Sequence, residues 1–244
     1  MSYLSKGNTI EEIIALIPAS TELFEKMGID YCCGGKLTLE SVCAIRKIAP
    51  EEIIRILKEE KKMNDENGIE NSIENLSLSE LTEHIEKVHH AWLWGELEKL
   101  DSLTEKVAKV HGSGDSRLWE VRQYFRDLSQ ELSDHMLKEE KILFPLIRQI
   151  EDSRGAIVSH CGSVTNPISQ MNLDHDQAEV LLAKIRKLCD DFIPPPNACF
   201  SYRSMLAGLS KVESDLREHV YKESVILFPK IIFLEKSKLA DEFA

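Results

Sequence analysis

The chain has 244 residues, enough for one sizeable domain or two smaller ones, and a formal net charge of −12. That charge argues against nucleic acid or an anionic membrane surface as a partner, and its field concentrates cations weakly. No apolar run approaches the roughly 18 residues of a membrane helix. Residues Met1 to Ile10 lack a basic stretch followed by an apolar one, and the six cysteines show neither C-x-x-C nor a framework spacing, so a reducing cytoplasm is the expected setting.

Apolar residues recur at helical spacing and strand-like alternation is scarce, which predicts an all-α chain. Residues 1–62 read as a small helical domain. Thr9 caps a helix through Ile17, with Glu12 at the capping-box position. Pro18, Ala19 and Ser20 break it. Ser20 or Thr21 opens a second helix through Met27, and Gly28 ends that one. The loop Ile29-Asp30-Tyr31-Cys32-Cys33-Gly34-Gly35 follows, then short helices from Thr38 to Lys47 and from Pro50 to Lys61. The polar stretch 63–77 reads as a linker.

Residues 78–244 predict four long helices. The first opens at Ser77 or Ser79 and runs to about Lys109, and the second spans about Asp115 to Ile150. Residues 151–166 look like a loop. Asn166-Pro167 starts a third helix to about Asp191, stopped by Pro194-Pro195-Pro196, and a fourth spans about Phe200 to Glu235. Short joints between long helices imply an up-down-up-down four-helix bundle behind the small domain.

The bundle is written as a duplication. Residues 134–147 read D-H-M-L-K-E-E-K-I-L-F-P-L-I and residues 218–231 read E-H-V-Y-K-E-S-V-I-L-F-P-K-I. Each copy carries a His with a Glu four residues later, His135 with Glu139 and His219 with Glu223, so the two side chains share one helix face. These residues fall on apolar stripes: Leu128, Glu131, Leu132, His135, Glu139, Ile142 and Leu143 in one helix; Val212, Asp215, Leu216, His219, Glu223, Ile226 and Leu227 in the other. Upstream, His90 and His175 stand at matching offsets on the inward sides of the first and third helices. One inward histidine is ordinarily a hydrogen-bonded core residue. Six such groups in a duplicated pattern point instead to a dinuclear metal centre, since a buried carboxylate is costly unless paired or coordinating. Mixed nitrogen and oxygen donors suit iron, manganese or zinc.

The remaining histidines, His84, His89, His111 and His160, read as exposed or packing residues. Glu86, Glu131 and Asp215 stand one turn before ligand positions; Glu131 and Asp215 lie on apolar stripes, so they are acceptors behind the ligands, proton relays, or side chains reaching solvent. Asp174, beside His175, is a similar case. The repeated Ile-Leu-Phe-Pro ending reads as packing at the end of the bundle, with Pro145 and Pro229 kinking or ending their helices.

With these residues in view, the chain resembles the di-iron Repair of Iron Centres family, whose C-terminal part is a hemerythrin-like bundle. The resemblance rests on Asp30-Tyr31-Cys32-Cys33-Gly34-Gly35-Lys36, both His-x-x-x-Glu-x-x-x-Leu-Phe-Pro segments and the Pro194-Pro195-Pro196 joint. It implies iron ligands at His90, His135, Glu139, His175, His219 and Glu223, and two non-haem irons joined by an oxo bridge. It places the family's acidic residues at Glu131 and at Asp174, where the family commonly has Glu. The 151–163 insertion has no assigned role.

The resemblance also implies a stress-response function: restoring iron–sulfur clusters damaged by nitric oxide or oxidants, with those damaged proteins as partners and NO or O₂ as small ligands. Cys32 and Cys33 then carry thiol chemistry in repair; the plainer reading is two small residues in a tight turn. Two other functions fit the bundle: an enzyme that reduces NO or reacts with O₂ or peroxide, and a reversible O₂ or NO carrier or sensor. The Cys-Cys domain favours repair, because a carrier needs no dithiol. Monomer and homodimer are both compatible with the sequence.

Overall fold

The computed structural model describes residues 4–17, 20, 23, 24, 27–29, 31, 35–67, 73–155, 157 and 162–242. The chain divides into two compact units, Met1–Leu76 and Ser77–Ala244. Among the described residues the regular structure is helical, with one isolated bridge between Thr9 and Thr38. No described helix is long and apolar enough to cross a membrane.

In the first unit, α1 (Ile10–Leu16) starts with a complete capping box: Thr9 Oγ1 accepts from the Glu12 amide, and the Glu12 carboxylate accepts from the Thr9 amide. The expected helix from Ser20 or Thr21 to Met27 falls partly outside the described residues. Its end is described: Gly28 has φ +64°, and the Ile29 amide donates to Phe24 O at 2.8 Å. That is the reversal glycine permits without a Cβ clash. Next come α2 (Leu39–Arg46), capped by Thr38, and α3 (Pro50–Asn67). Helix α3 overruns its expected end at Lys61 and takes the first residues of the expected 63–77 linker. Residues 62–67 are polar apart from Met63 and hold no glycine or proline, so nothing halts the hydrogen-bond ladder before Gly68. Ile10, Ile13, Ile14, Phe24, Leu39, Ile53 and Leu57 are fully buried, each worth about 1.5–3 kcal/mol of transfer free energy.

The second unit is a bundle of four long helices. Helix α4 spans 78–111, α5 spans 117–152, α6 is Thr165–Leu188 and α7 spans 200–242. Helix α4 packs on α5 and α7, and α6 packs on α5 and α7. Ser77 begins α4 with a second capping box closed by Glu80. The helix starts are also tied to the neighbouring helix ends. Glu151 of α5 accepts from the Leu78 and Ser79 amides at 2.7 and 2.8 Å, and Glu235 of α7 accepts from the Val164 amide at 2.8 Å and Ser163 Oγ at 2.6 Å. Both glutamates stand at the same offset from their helix's histidine, so the duplication extends to the caps. Each carboxylate sits at a helix N-terminus, where unpaired amides and the helix dipole favour negative charge. The expected 151–166 loop therefore begins later, because Glu151 and Asp152 still belong to α5. Helix α6 starts at Thr165, one residue before the expected cap Asn166. It ends at Leu188, before Asp191, because Asp190, Asp191 and Phe192 adopt positive φ.

Three of the four helices contain one wide, π-type turn: Glu86–His90 in α4, Glu139–Leu143 in α5 and Lys222–Leu227 in α7. The amides of Ala91, Phe144 and Phe228 reach back five residues, to the carbonyls of Glu86, Glu139 and Glu223. In α5 and α7 the next residue is Pro145 or Pro229, which has no amide to lose. The prolines therefore neither end these helices nor pack: both are exposed, and the helices run on to Asp152 and Glu242. The inward stripe differs between the two copies at this turn, for Ile226 in α7 is buried. Leu143 and Phe144 are buried, whereas Ile142, expected inside, is 43% exposed.

Apolar layers close the bundle above and below these turns. Leu81, Ile85, Leu93, Leu97, Leu100, Phe125, Leu128, Leu132, Ile185, Leu209 and Val212 are buried. Helix α7 comes close to α4 at Gly208, where a Cβ would stand 2.7 Å from a Leu100 methyl.

Candidate metal centre

Inside the bundle, all six sequence-predicted ligands are buried and meet. His90 Nε2 lies 3.1 Å from His219 Nε2, and His135 Nε2 lies 3.3 Å from His175 Nε2. The two glutamates lie between these imidazole pairs. Glu139 Oε2 is 3.3 Å from both His90 Nε2 and His135 Nε2. Glu223 Oε1 is 2.7 Å from His219 Nε2, and its Oε2 is 3.0 Å from His175 Nε2. Two donor groups result: His90, Glu139, His219 and Glu223; and His135, His175 and Glu223.

The atoms themselves test the fit to metal ions. Both oxygens of Glu139 and both of Glu223 are buried without a hydrogen-bond partner, despite their short distances to nitrogen. Burying one unpaired carboxylate costs several kcal/mol, and two side by side cost more. Cations between carboxylate and imidazole remove that cost. Two nitrogens about 2.1 Å from one ion, at a right angle, stand about 3.0 Å apart, close to both imidazole spacings. The donor set and spacing fit metal.

Charge balance leads to the same conclusion. Burial alone would neutralise Glu139 and Glu223. At Glu139, His135 and His90 outweigh both burial and the neighbouring Glu223, holding the carboxyl below its ordinary value. At Glu223, His219 and His175 do so more strongly. Burial likewise opposes charge on His135, but Glu139 and Asp174 overcome it and raise that imidazole to about 10. Burial prevails at His219, which is pushed down. The pocket holds two carboxylates that stay ionised only beside positive charge, supplied by protons or by metal ions.

Comparison with known proteins agrees with this geometry. Residues 81–231, more than half of the chain, match the family described as "Hemerythrin HHE cation binding domain". Residues 6–61 match "Domain of Unknown function (DUF542)". The chain is 34% identical over 232 residues to "Iron-sulfur cluster repair protein YtfE" of Escherichia coli O157:H7, covering 95% of this chain and 99% of the relative. It is 35% identical over 227 residues to the protein of the same name from Citrobacter koseri, covering 93% and 97%. This chain belongs to the YtfE family of iron–sulfur cluster repair proteins.

In this YtfE-family chain the side chains behind the ligands follow the duplication as well. Glu140 Oε1 meets His90 Nδ1 at 3.0 Å, and Ser224, at the same place in the second copy, meets His175 Nδ1 at 3.4 Å. Phe144 stacks on His90 and Phe228 on His175, with planes 16° and 7° apart. The Phe of each Leu-Phe-Pro ending thus packs against a ligand ring. The sequence reading missed Glu140, Ser224 and both Phe contacts. Their shared position, one or five residues after each ligand Glu, was the available signal.

The predicted acids separate. Asp174 is buried behind His135, with Oδ2 3.6 Å from its Nδ1 and 2.8 Å from Lys138 Nζ, and Gln170 donates to Oδ1 at 2.8 Å. Burial would raise this carboxyl, but His135, Lys138 and Gln170 hold it well below the usual range. Glu131 faces outward instead. It lines an open surface cleft of about 470 Å³ with Asp127, Leu173 and Val180, and its side chain makes no hydrogen bond or ion pair among the described residues. Leu132 takes the inward place, since the apolar stripe is narrower than seven residues of wheel geometry suggest. Glu86 pairs with Arg148 at 2.9 Å, and Asp215 bonds not to a ligand but to His89. His89 is fully buried, so solvent exposure is ruled out for it. Cys32, Cys33 and His160 lie outside the described residues. His111 stands 3.2 Å from Cys199 Sγ, in contacts separate from those of the six ligands.

Proposed function

We propose that this chain repairs iron–sulfur clusters damaged by nitrosative or oxidative stress, using two bridged non-haem irons held by His90, His135, Glu139, His175, His219 and Glu223. The observation that carries the metal assignment is the position of the glutamates: each faces both imidazole pairs, as a bridging carboxylate must. The repair assignment is supported by the name of relatives that align over nearly the whole chain.

The bound pair would supply iron and a redox-active centre able to take up NO. The chain's own residues do the rest. Glu140 accepts from His90 Nδ1 and so directs the Nε2 lone pair inward. Asp174, paired with Lys138, faces His135 Nδ1 at 3.6 Å without a hydrogen bond, and its charge favours a proton on that nitrogen and the Nε2 lone pair inward. Phe144 and Phe228 cover the ring faces and exclude water. Cys32 and Cys33, in the first unit, serve as thiols that lose their protons and accept iron as thiolates during repair. The partners are damaged iron–sulfur proteins in the cytoplasm.

Metal analysis and a purified repair assay test this together. The protein should carry about two irons per chain, show a bridged-centre absorption altered by NO, and reactivate an NO-damaged, cluster-containing dehydratase. Two irons without reactivation would leave a metal centre of other use. Reactivation by protein stripped of iron would remove the centre from the mechanism.

A further inference from the structure

Each ligand imidazole turns Nε2 to the centre, so something else must hold Nδ1 or the ring face. Three rings have a polar group at Nδ1: Glu140 at 3.0 Å from His90, Ser224 at 3.4 Å from His175 and Asp174 at 3.6 Å from His135. His219 differs. Its Nδ1, like that of His135, is buried with no hydrogen-bond partner, but unlike His135 it has no carboxylate facing it within 4.0 Å. A ligand ring without such an anchor loses part of its orientation, and with it metal affinity.

What His219 has is a second imidazole. His89 lies flat against it, with centroids 5.3 Å apart and planes 3° apart. His89 is itself held at both nitrogens. Nδ1 is 2.9 Å from Asp215 Oδ1, and Nε2 is 2.7 Å from Lys222 Nζ. A carboxylate only accepts and an ammonium only donates, so His89 gives its Nδ1–H to Asp215 and accepts from Lys222 at Nε2. Both nitrogens are thereby occupied, and His89 is no seventh ligand. His89 is 0% exposed and Lys222 7% exposed. Burying such groups costs several kcal/mol unless they are paired, so simple core filling would use an apolar side chain here.

The duplication points the same way. His89 immediately precedes His90, as Asp174 precedes His175, and Lys222 follows His219 at the offset by which Lys138 follows His135. Lys138 grips Asp174 at 2.8 Å, just as Lys222 grips His89 at 2.7 Å. The residue at this position backs the ligand of the neighbouring helix in both halves: Asp174 behind His135, His89 against His219.

We propose that His89, clamped between Asp215 and Lys222, is the positioning residue for His219, fixing that ring by stacking where the other three are fixed by a polar group. The proposal rests on the reading of His219 as an iron ligand.

The test uses full-length protein with His89→Ala and His89→Phe, following iron content, release of iron to a chelator, the optical spectrum and melting of the iron-free protein. Both variants break the contacts to Asp215 and Lys222; only Phe keeps a flat ring. In His89→Ala, one of the two irons should leave about 10–100-fold faster than in the parent, with a changed spectrum. His89→Phe should restore slow release while the iron-free form stays as destabilised as the Ala variant. Parent-like release in both variants overturns the proposal. So does loss of both irons from both variants in step with lost stability, which would give His89 a role in folding alone. Failure of the parent to bind two irons would instead sink the di-iron reading beneath it.

Discussion

His90 and His219 stand 129 residues apart in the chain and face each other at 3.1 Å, Nε2 to Nε2. His135 and His175 form the matching pair from α5 and α6. The imidazole pairs therefore do not follow the two halves of the sequence. Each imidazole pair joins a residue of the first sequence copy to one of the second, and the two glutamates link the pairs. This interlocking ties metal retention to the packing of all four helices.

Removal of either bridging candidate should disrupt both positions. Glu139→Leu and Glu223→Leu are expected to lower iron content and abolish the bridged-centre absorption, while leaving the helical circular dichroism in place. Leu suits the apolar surroundings, so the iron-free variants should be no less stable than the parent, because an unpaired buried carboxylate is gone. Two irons with an unchanged spectrum in both variants would disprove the bridging assignment.

Glu140 and Ser224 occupy equivalent places but differ as acceptors. Glu140→Ala should weaken iron retention by about 10–100-fold, the usual effect of removing a carboxylate behind a ligand histidine. Ser224→Ala should have a smaller effect, since the hydroxyl is neutral and stands 3.4 Å from His175 Nδ1. Chelator competition measures both, and a larger loss from Ser224→Ala would reverse the ranking.

Glu151 predicts a pH effect in the bundle. Burial would raise its carboxyl, but Ser79 and the Leu78 and Ser79 amides outweigh burial and hold it lower than normal. A depressed folded value contributes stability that is fully present above the unfolded glutamate value of about 4.3 and is lost as pH falls through the folded value. Glu151→Ala should cost about 0.5–2 kcal/mol at neutral pH, as loss of a helix cap does. The difference should shrink in acid. Denaturant unfolding of the iron-free protein at several pH values gives the answer, and a pH-independent difference would exclude a role for the charge.

A chain beginning at Ser77 should fold and bind iron without the first unit, because every ligand and every side chain found behind a ligand lies after that residue. Circular dichroism and metal analysis of the shortened protein decide it. Loss of iron with helicity intact would mean that the N-terminal domain contributes to the centre.

The dithiol is separable in the opposite sense. The Cys32→Ser, Cys33→Ser double variant should keep its iron and helical content, since nitrogen and oxygen ligands already complete the site. It should lose much of its ability to reactivate an NO-damaged dehydratase. Full reactivation by this variant would confine the chemistry to the bundle.

The sequence by itself determined the helical class, the duplication and the six residues that meet at the centre. It also specified Thr9 and Gly28 as helix boundaries and offered Ser77 as one of two starts for the first bundle helix. Each of these follows from local chemistry: apolar spacing, a capping hydroxyl, a glycine that tolerates positive φ. The wide turns were not legible, because one added residue per turn leaves the composition of the stripe intact and shows only in which amide meets which carbonyl. Glu131 and Asp174 read alike in the sequence, yet only Asp174 turns toward a ligand. His89 read as a bystander and Asp215 as an acceptor behind a ligand or a side chain reaching solvent, yet Asp215 bonds to His89, which stacks on His219. Only tertiary structure decided these roles. A hydrogen bond or ring contact behind a ligand depends on a fraction of an ångström between helices brought together from distant parts of the chain, and helical periodicity carries no information at that scale.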